Sequence, residues 1–205
     1  MLKIYGQARS RAFRVLWLAN EAGIAYEHIP VSTTADNPQC KEPWYVALNP
    51  NARVPTIDDD GFVMWESGAI NLYLAEKYKC PLLPATAQGR GRMLQWAFYI
   101  ANDVEPPLIT MFQNRVLFPE EKRNAALGDA AEAQLKLKLK LLDEHLAKNA
   151  CFGVDRLDMA DFMVASVLYT LVPLKYDLAP YPRFEAWLKA SIERPAAREA
   201  RKLRE

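Results

Sequence analysis

Strand-like and helix-like patterns alternate through the first 79 residues of this chain, and then the strand-like ones stop. Residues 2–6 (LKIYG) are a short β-rich run, and SRAFRVLWLANEAG follows with Ser10 able to cap a helix and Gly23 to end it. Its apolar positions Ala12, Val15, Leu16, Ala19 and Ala22 keep helical spacing. AYEHIPV (25–31) alternates like a strand, and NPQCKEPWYVAL reads as an irregular, partly helical connection. PTIDD, a turn at Asp60-Gly61 and FVMW read as a hairpin, and a helix from Ser67 to about Tyr78 closes the segment. The order is βαβαββα.

Beyond CPLLPATAQG (80–89), a linker bearing Pro and Gly, the chain carries helical periodicity only. The reading is therefore an α/β domain over 1–79 and an all-helical domain over 90–205. KLKLKL (136–141) imitates a strand, but Leu135, Leu139, Leu142 and Leu146 continue one helical stripe from Asp129 to Lys148, so length decides for helix.

Composition removes several function classes. With 26 Lys and Arg against 25 Asp and Glu, the net charge of +1 supplies no broad field for nucleic acid or an anionic membrane. Cys40, Cys80 and Cys151 lie far apart, and only His28 and His145 could join them as soft ligands, so no metal site is expected. An odd number of thiols suits a reducing compartment. MLKIYGQARSR lacks the apolar run of a signal peptide, and no stretch approaches the roughly 20 apolar residues of a membrane span. A cytoplasmic protein is the expectation.

FVMWESGAINLYLAEKY (62–78) puts an acid and a hydroxyl where a strand becomes a helix. The first backbone N–H groups of a helix are unpaired, and Ser67 as N-cap would aim its hydroxyl and those amides at one spot. The helix dipole favours a carboxylate there. Glu66, just before it, can accept from an ammonium group, so the pair matches the two ends of an amino acid. The plainer reading is that Ser67 only caps its helix.

Upstream, NPNARVPTI (49–57) places Val54 before Pro55 at the start of a strand. A cis peptide there would leave backbone N–H and C=O groups for an extended peptide, though cis is uncommon for any one X-Pro bond. Val54-Pro55, Glu66-Ser67, Ala69-Ile70 and Tyr73-Leu74 together resemble the glutathione-site signature of the cytosolic glutathione S-transferases. The opening YGQARSRAFRVLWLANEAGIAYE is similar to the first strand and helix of bacterial members, so the resemblance spans essentially the whole chain.

That resemblance implies a thioredoxin-like βαβαββα domain followed by an all-helical domain, with Val54 pairing with the cysteinyl backbone of glutathione at a cis Pro55. Glu66 and Ser67 would hold the γ-glutamyl end. RLDMADFMVASVL resembles the family's capping motif at the start of a buried helix, with Asp158 where Ser or Thr is usual. Ala52 stands where the family commonly has Gly, which implies an altered turn before Arg53.

The chemistry needs a thiolate. A thiol pKa near 8.5 leaves about 3% thiolate at pH 7, and lowering it by roughly two units requires about 2.7 kcal/mol. Ser10, at the expected start of the first helix, is the first choice to donate to the sulfur. Tyr5 resembles the activating tyrosine of other classes but can equally be a packed strand aromatic; a backbone amide, Arg9 or Arg11 are further possibilities. No cysteine lies in this stretch, which argues against the thiol-exchange branch of the family.

By resemblance, Arg53, and secondarily Lys41, would meet the glycyl carboxylate, and Asp103 would reach the γ-glutamyl site of a partner subunit. Trp96, Phe98, Tyr99 and Phe112 are core or one wall of an acceptor pocket; His28 and His145 are surface or structural; REARKLRE is a solvated helical end. The expectation is a homodimeric transferase joining glutathione, as co-substrate, to a small apolar electrophile, with no other cofactor. A non-catalytic binding protein of the same fold, or a glutathione-dependent isomerase or dehalogenase, remains open.

Overall fold

A computed structural model describes residues 1–204. They divide into two compact units, Met1–Leu83 together with the residues from Glu193 onward, and Pro84–Ile192.

The first unit is built on four strands: β1 (Leu2–Tyr5), β2 (Tyr26–Ile29), β3 (Thr56–Asp59) and β4 (Phe62–Trp65). Their order is β2-β1-β3-β4, with β1 parallel to β2 and antiparallel to β3, and β4 antiparallel to β3. The parallel pair requires a crossover, which α1 (Ala12–Glu21) provides. The antiparallel pair β3–β4 needs only the tight turn that closes where Gly61 N–H donates to Asp58 Oδ1 at 2.7 Å. Register sets Ile4 opposite His28 on one side and Ile57 on the other.

Residues 12 to 19 of α1 are all buried, because α3 (Ser67–Lys77) and α9 (Pro195–Lys202) pack against it as well as β1. Between them α2 (Pro43–Val46) follows a 3-10 turn at Gln39–Lys41. Asp59 ties β3 to α3: its buried carboxylate accepts from Lys77 Nζ (2.6 Å), Tyr73 Oη (2.9 Å) and Tyr78 Oη (3.0 Å).

Residues 198–204 are mostly exposed or half-buried, as a solvated end would be, but the helix that carries them packs on α1. α9 buries Ala197 and Ala200, and Arg194 just before it forms a bidentate pair with buried Glu21 at 2.7 and 2.6 Å. Small residues allow close helix approach, so two buried alanines among the four charged residues of α9 suffice to seat it.

The second unit is helical, as the periodicity predicts. α4 (Ala87–Tyr99) and α5 (Glu105–Phe112) are joined by a π-helical turn at Ile100–Val104, and a second follows at Gln113–Leu117. KLKLKL lies inside α6 (Ala125–Leu146). All ten residues of α7 (Met159–Leu168) are buried, and α8 (Pro182–Ile192) packs on it. Asp158 caps α7 by accepting from Ala160 N–H at 2.7 Å, in a capping box with Asp161. Asp161 also accepts from Phe152 N–H (2.9 Å), Gly153 N–H (3.0 Å) and Trp187 Nε1–H (2.9 Å). His145 is structural, stacked on Phe152 at 5.0 Å. Among the described residues no helix is long and apolar enough to cross a membrane.

Candidate functional site

The loop before β3 is where the first unit's backbone departs from regular pairing. Val54–Pro55 is cis, and neither N–H nor C=O of Val54 hydrogen-bonds to a described residue. The loop is braced from below by side chains that the sequence reading did not single out. Tyr45 Oη–H donates to Arg53 C=O at 2.7 Å, and Asn49 Nδ2 donates to the same oxygen at 2.8 Å. Both also bond Thr56 Oγ1, at 2.8 and 3.2 Å. One proton assignment satisfies all four bonds: Asn49 gives one N–H to each acceptor, Thr56 donates to Tyr45, and Tyr45 to Arg53. Burial raises the pKa of the Tyr45 phenol, which keeps the donor protonated.

Gly6 brings the end of β1 against this loop. A Cβ there would lie 2.8 Å from Val54 Cβ and 2.9 Å from Ala12 Cβ, and φ is +129°, so only glycine fits. Its carbonyl accepts from His28 Nε2 at 2.8 Å, which makes His28 a structural residue. Ala52, where the resemblance implied an altered turn, adopts φ 51°, a left-handed conformation that glycine takes most readily.

At the seam one detail of the sequence reading changes. Glu66, not Ser67, is the N-cap of α3; Ser67 is the first helical residue, and no side chain caps the helix. Glu66 has φ 76° and ψ 109°, a conformation that costs a non-glycine residue about 1–3 kcal/mol and clusters at functional sites. Its C=O accepts from Ile70 N–H at 2.9 Å, while the amides of Ser67, Gly68 and Ala69 find no acceptor among the described residues. The exposed Glu66 carboxylate and these amides therefore form an acceptor beside three donors. An ammonium carboxylate has the complementary arrangement.

Ser10 stands two residues ahead of α1, whose N-cap is Arg11. Its hydroxyl donates to Gln7 C=O at 2.6 Å and accepts from Ala12 N–H at 3.1 Å. Tyr5 is buried at the end of β1, packed edge-on to Tyr45 at 6.3 Å and tilted to Trp44 at 6.5 Å. Burial raises its pKa, and its Oη has no hydrogen-bond partner among the described residues. Lys41 and Arg53 are exposed, and neither forms an ion pair with a described residue.

Ser10, Tyr5, Lys41, Arg53, Val54, Pro55, Glu66 and Ser67 thus all belong to the first unit. Asp103 belongs to the second, in the π-turn after α4, with Lys138 Nζ at 3.4 Å. Of the four aromatics, Trp96 is buried and Phe98 is exposed, so Phe98 is not core.

Residues 1–76 match the family model described as "Glutathione S-transferase, N-terminal domain", and 106–195 match "Glutathione S-transferase, C-terminal domain". Glutathione S-transferase F9 of Arabidopsis thaliana is 30% identical over 97% of this chain and 95% of its own length. Glutathione S-transferase GstB of Escherichia coli (strain K12) is 28% identical over 97% and 96%. The crystal structure of the theta class glutathione S-transferase from Xanthomonas axonopodis pv. citri, with glutathione bound, superposes with a TM-score of 0.90 at 32% identity, covering 97% of this chain and 96% of that one. With both domains matched and relatives aligned nearly end to end, this chain belongs to the glutathione S-transferase family, enzymes that take glutathione as co-substrate.

Proposed function

We propose that the chain activates the thiol of glutathione as a thiolate for attack on a small apolar electrophile, with Ser10 as the residue that donates to the sulfur. The observation that carries the reading is the set of unpaired backbone groups in the first unit: the N–H and C=O of Val54, and the three amides at the start of α3. Val54 pairs with the cysteinyl backbone beside cis Pro55. Glu66 accepts from the γ-glutamyl ammonium, and Ser67 with the neighbouring amides donates to its carboxylate. Arg53, with Lys41 second to it, meets the glycyl carboxylate.

The thiol proton leaves to solvent, and the thiolate forms the new carbon–sulfur bond as the leaving group departs with its electron pair. The Ser10 hydroxyl now donates to the neutral Gln7 carbonyl. A thiolate is the stronger acceptor because it is charged, and rotation about one bond redirects the hydroxyl. Tyr5 is the second reading, favoured by its unpartnered Oη. A homodimer with Asp103 directed to the partner's γ-glutamyl site, and a cytoplasmic location, complete the proposal.

Ultraviolet titration of bound glutathione tests the reading, with wild type beside Ser10→Ala and Tyr5→Phe. The expected result is a thiol pKa about two units below the free value, returned upward by Ser10→Ala and not by Tyr5→Phe. An unshifted pKa in the wild type overturns the enzymatic reading in favour of a binding protein.

A further inference from the structure

We propose that Arg204 is a positioning residue for thiol activation: it holds the turn that carries Ser10, so that the hydroxyl of Ser10 meets the sulfur in one fixed direction. The inference rests on the reading of Ser10 as the activating donor. Residues 7–10 lie between β1 and α1 without regular structure. From one side the turn is secured to the residues at and after β2, where Gly6 N–H donates to Ile29 C=O (2.9 Å) and Gln7 N–H to Val31 C=O (3.2 Å). Ser10 closes the turn on itself, with both N–H and Oγ–H donating to Gln7 C=O.

The other side is held by residues nearly two hundred positions away. Arg204 Nη1 donates to Ala8 C=O at 3.0 Å, and Arg9 Nε donates back to Arg204 C=O at 2.7 Å. Each arginine side chain thus bonds main chain of the other segment, Arg204 that of Ala8 and Arg9 that of Arg204. The Arg204 guanidinium also lies over the Phe13 ring, 5.0 Å from its centre, on the first turn of α1.

Arg204 is itself placed firmly. Its N–H donates to Arg201 C=O at 2.8 Å, and α9 buries Ala197 and Ala200. Because the Arg204 bond is to a backbone carbonyl next to Arg9 and Ser10, it constrains the turn whatever side chains the turn carries. A hydrogen bond lowers a thiol pKa only while its donor is held on line, so loosening the turn reduces thiolate stabilisation without removing any group that binds glutathione.

The experiment measures the pKa of the bound thiol, the glutathione Kd and the rate with chlorodinitrobenzene in the full chain. The proteins are wild type, Arg204→Ala, Arg204→Lys, Ser10→Ala and the Ser10→Ala/Arg204→Ala double variant. Arg204→Ala is expected to raise the bound thiol pKa by about half a unit, a roughly threefold loss of thiolate below the wild-type pKa. Glutathione affinity stays within about twofold, and Arg204→Lys, which keeps a donor for Ala8 C=O, recovers most of the shift. In the Ser10→Ala background the Arg204 change adds nothing.

If Ser10→Ala raises the pKa and Arg204→Ala does not, the positioning role is overturned and the serine reading stands. If Arg204→Ala adds its full shift on top of Ser10→Ala, it acts by another route and the inference is wrong. If Ser10→Ala itself changes nothing, both fall together. Arg204→Gln, which keeps a shorter donor without the charge, repeats the comparison should Arg204→Ala fail to fold.

Discussion

Replacing Tyr45 by Phe removes one oxygen from beneath the cis-proline loop and leaves the ring in place. Its edge-on packing against Tyr5 at 6.3 Å and Trp44 at 5.5 Å survives. Lost are the 2.7 Å bond to Arg53 C=O and the 2.8 Å bond with Thr56 Oγ1. Arg53 C=O keeps the Asn49 amide as donor, so only one partner is left orphaned, the buried hydroxyl proton of Thr56. One net hydrogen bond at about 1 kcal/mol plus one unsatisfied buried donor at about 1 kcal/mol gives a loss of about 2 kcal/mol. Urea denaturation would show it as a lower midpoint with an unchanged slope. Part of the loss falls on the loop that presents Val54, so glutathione binding measured by calorimetry should weaken by about fivefold, equivalent to about 1 kcal/mol. A stability change under about 0.5 kcal/mol, the scale of an ordinary surface substitution, would refute the claim that Tyr45 braces the loop.

The second unit has a comparable point at Gly153, where an added Cβ would run into Arg156 C=O and meet Asp158 Cγ at 2.7 Å. Gly153→Ala must shift the loop and disturb the capping box of α7, and a loss of about 3 kcal/mol by urea denaturation is expected; a variant as stable as the wild type would show that the loop moves freely. For Asp59, burial acts to raise the pKa, but hydrogen bonds from Lys77, Tyr73 and Tyr78 outweigh it and hold the carboxyl below the ordinary 3.8. Its contribution is therefore present above that value and lost as pH falls through the lower folded-state pKa, so the stability gap between wild type and Asp59→Asn, wide at neutral pH, should close in that acid range. A gap that holds constant down to the acid limit contradicts the assignment.

The sequence was most legible where burial follows a local period. The switch from mixed to purely helical patterning located the two architectures, and the leucine spacing through KLKLKL outweighed its strand-like alternation because α6 runs 22 residues. The seam was legible in residue types and mistaken in one position. Capping statistics favour Ser over Glu at an N-cap, but here the backbone of Glu66 is held at φ 76° and takes that position. A strained conformation is imposed by tertiary structure and leaves no mark on local propensity. α9 was legible in part for a related reason: its charged residues are largely solvated, but nothing in their pattern shows that two small residues dock the helix while the long side chains lie along the surface.

The site divides along the same physical line. Groups that would touch a ligand through their own chemistry, such as Glu66, Ser67, Arg53 and Ser10, are recognisable because residue type and position carry the information. Groups that hold the backbone carry none of it in a pattern. Tyr45 and Asn49 act on the carbonyl of Arg53, and Arg204 acts on the carbonyl of Ala8; any residue has such a carbonyl, so nothing at position 53 or 8 announces its partner. The partners differ in reach as well. Tyr45 and Asn49 lie within eight residues of Arg53, so a helix and a turn suffice to bring them there, whereas Ala8 and Arg204 are 196 residues apart and meet only once α9 has docked on α1. Long-range bonds to main chain are thus the part of a site that sequence conceals most completely, and substitutions that test them belong at the donor, since the acceptor cannot be mutated away.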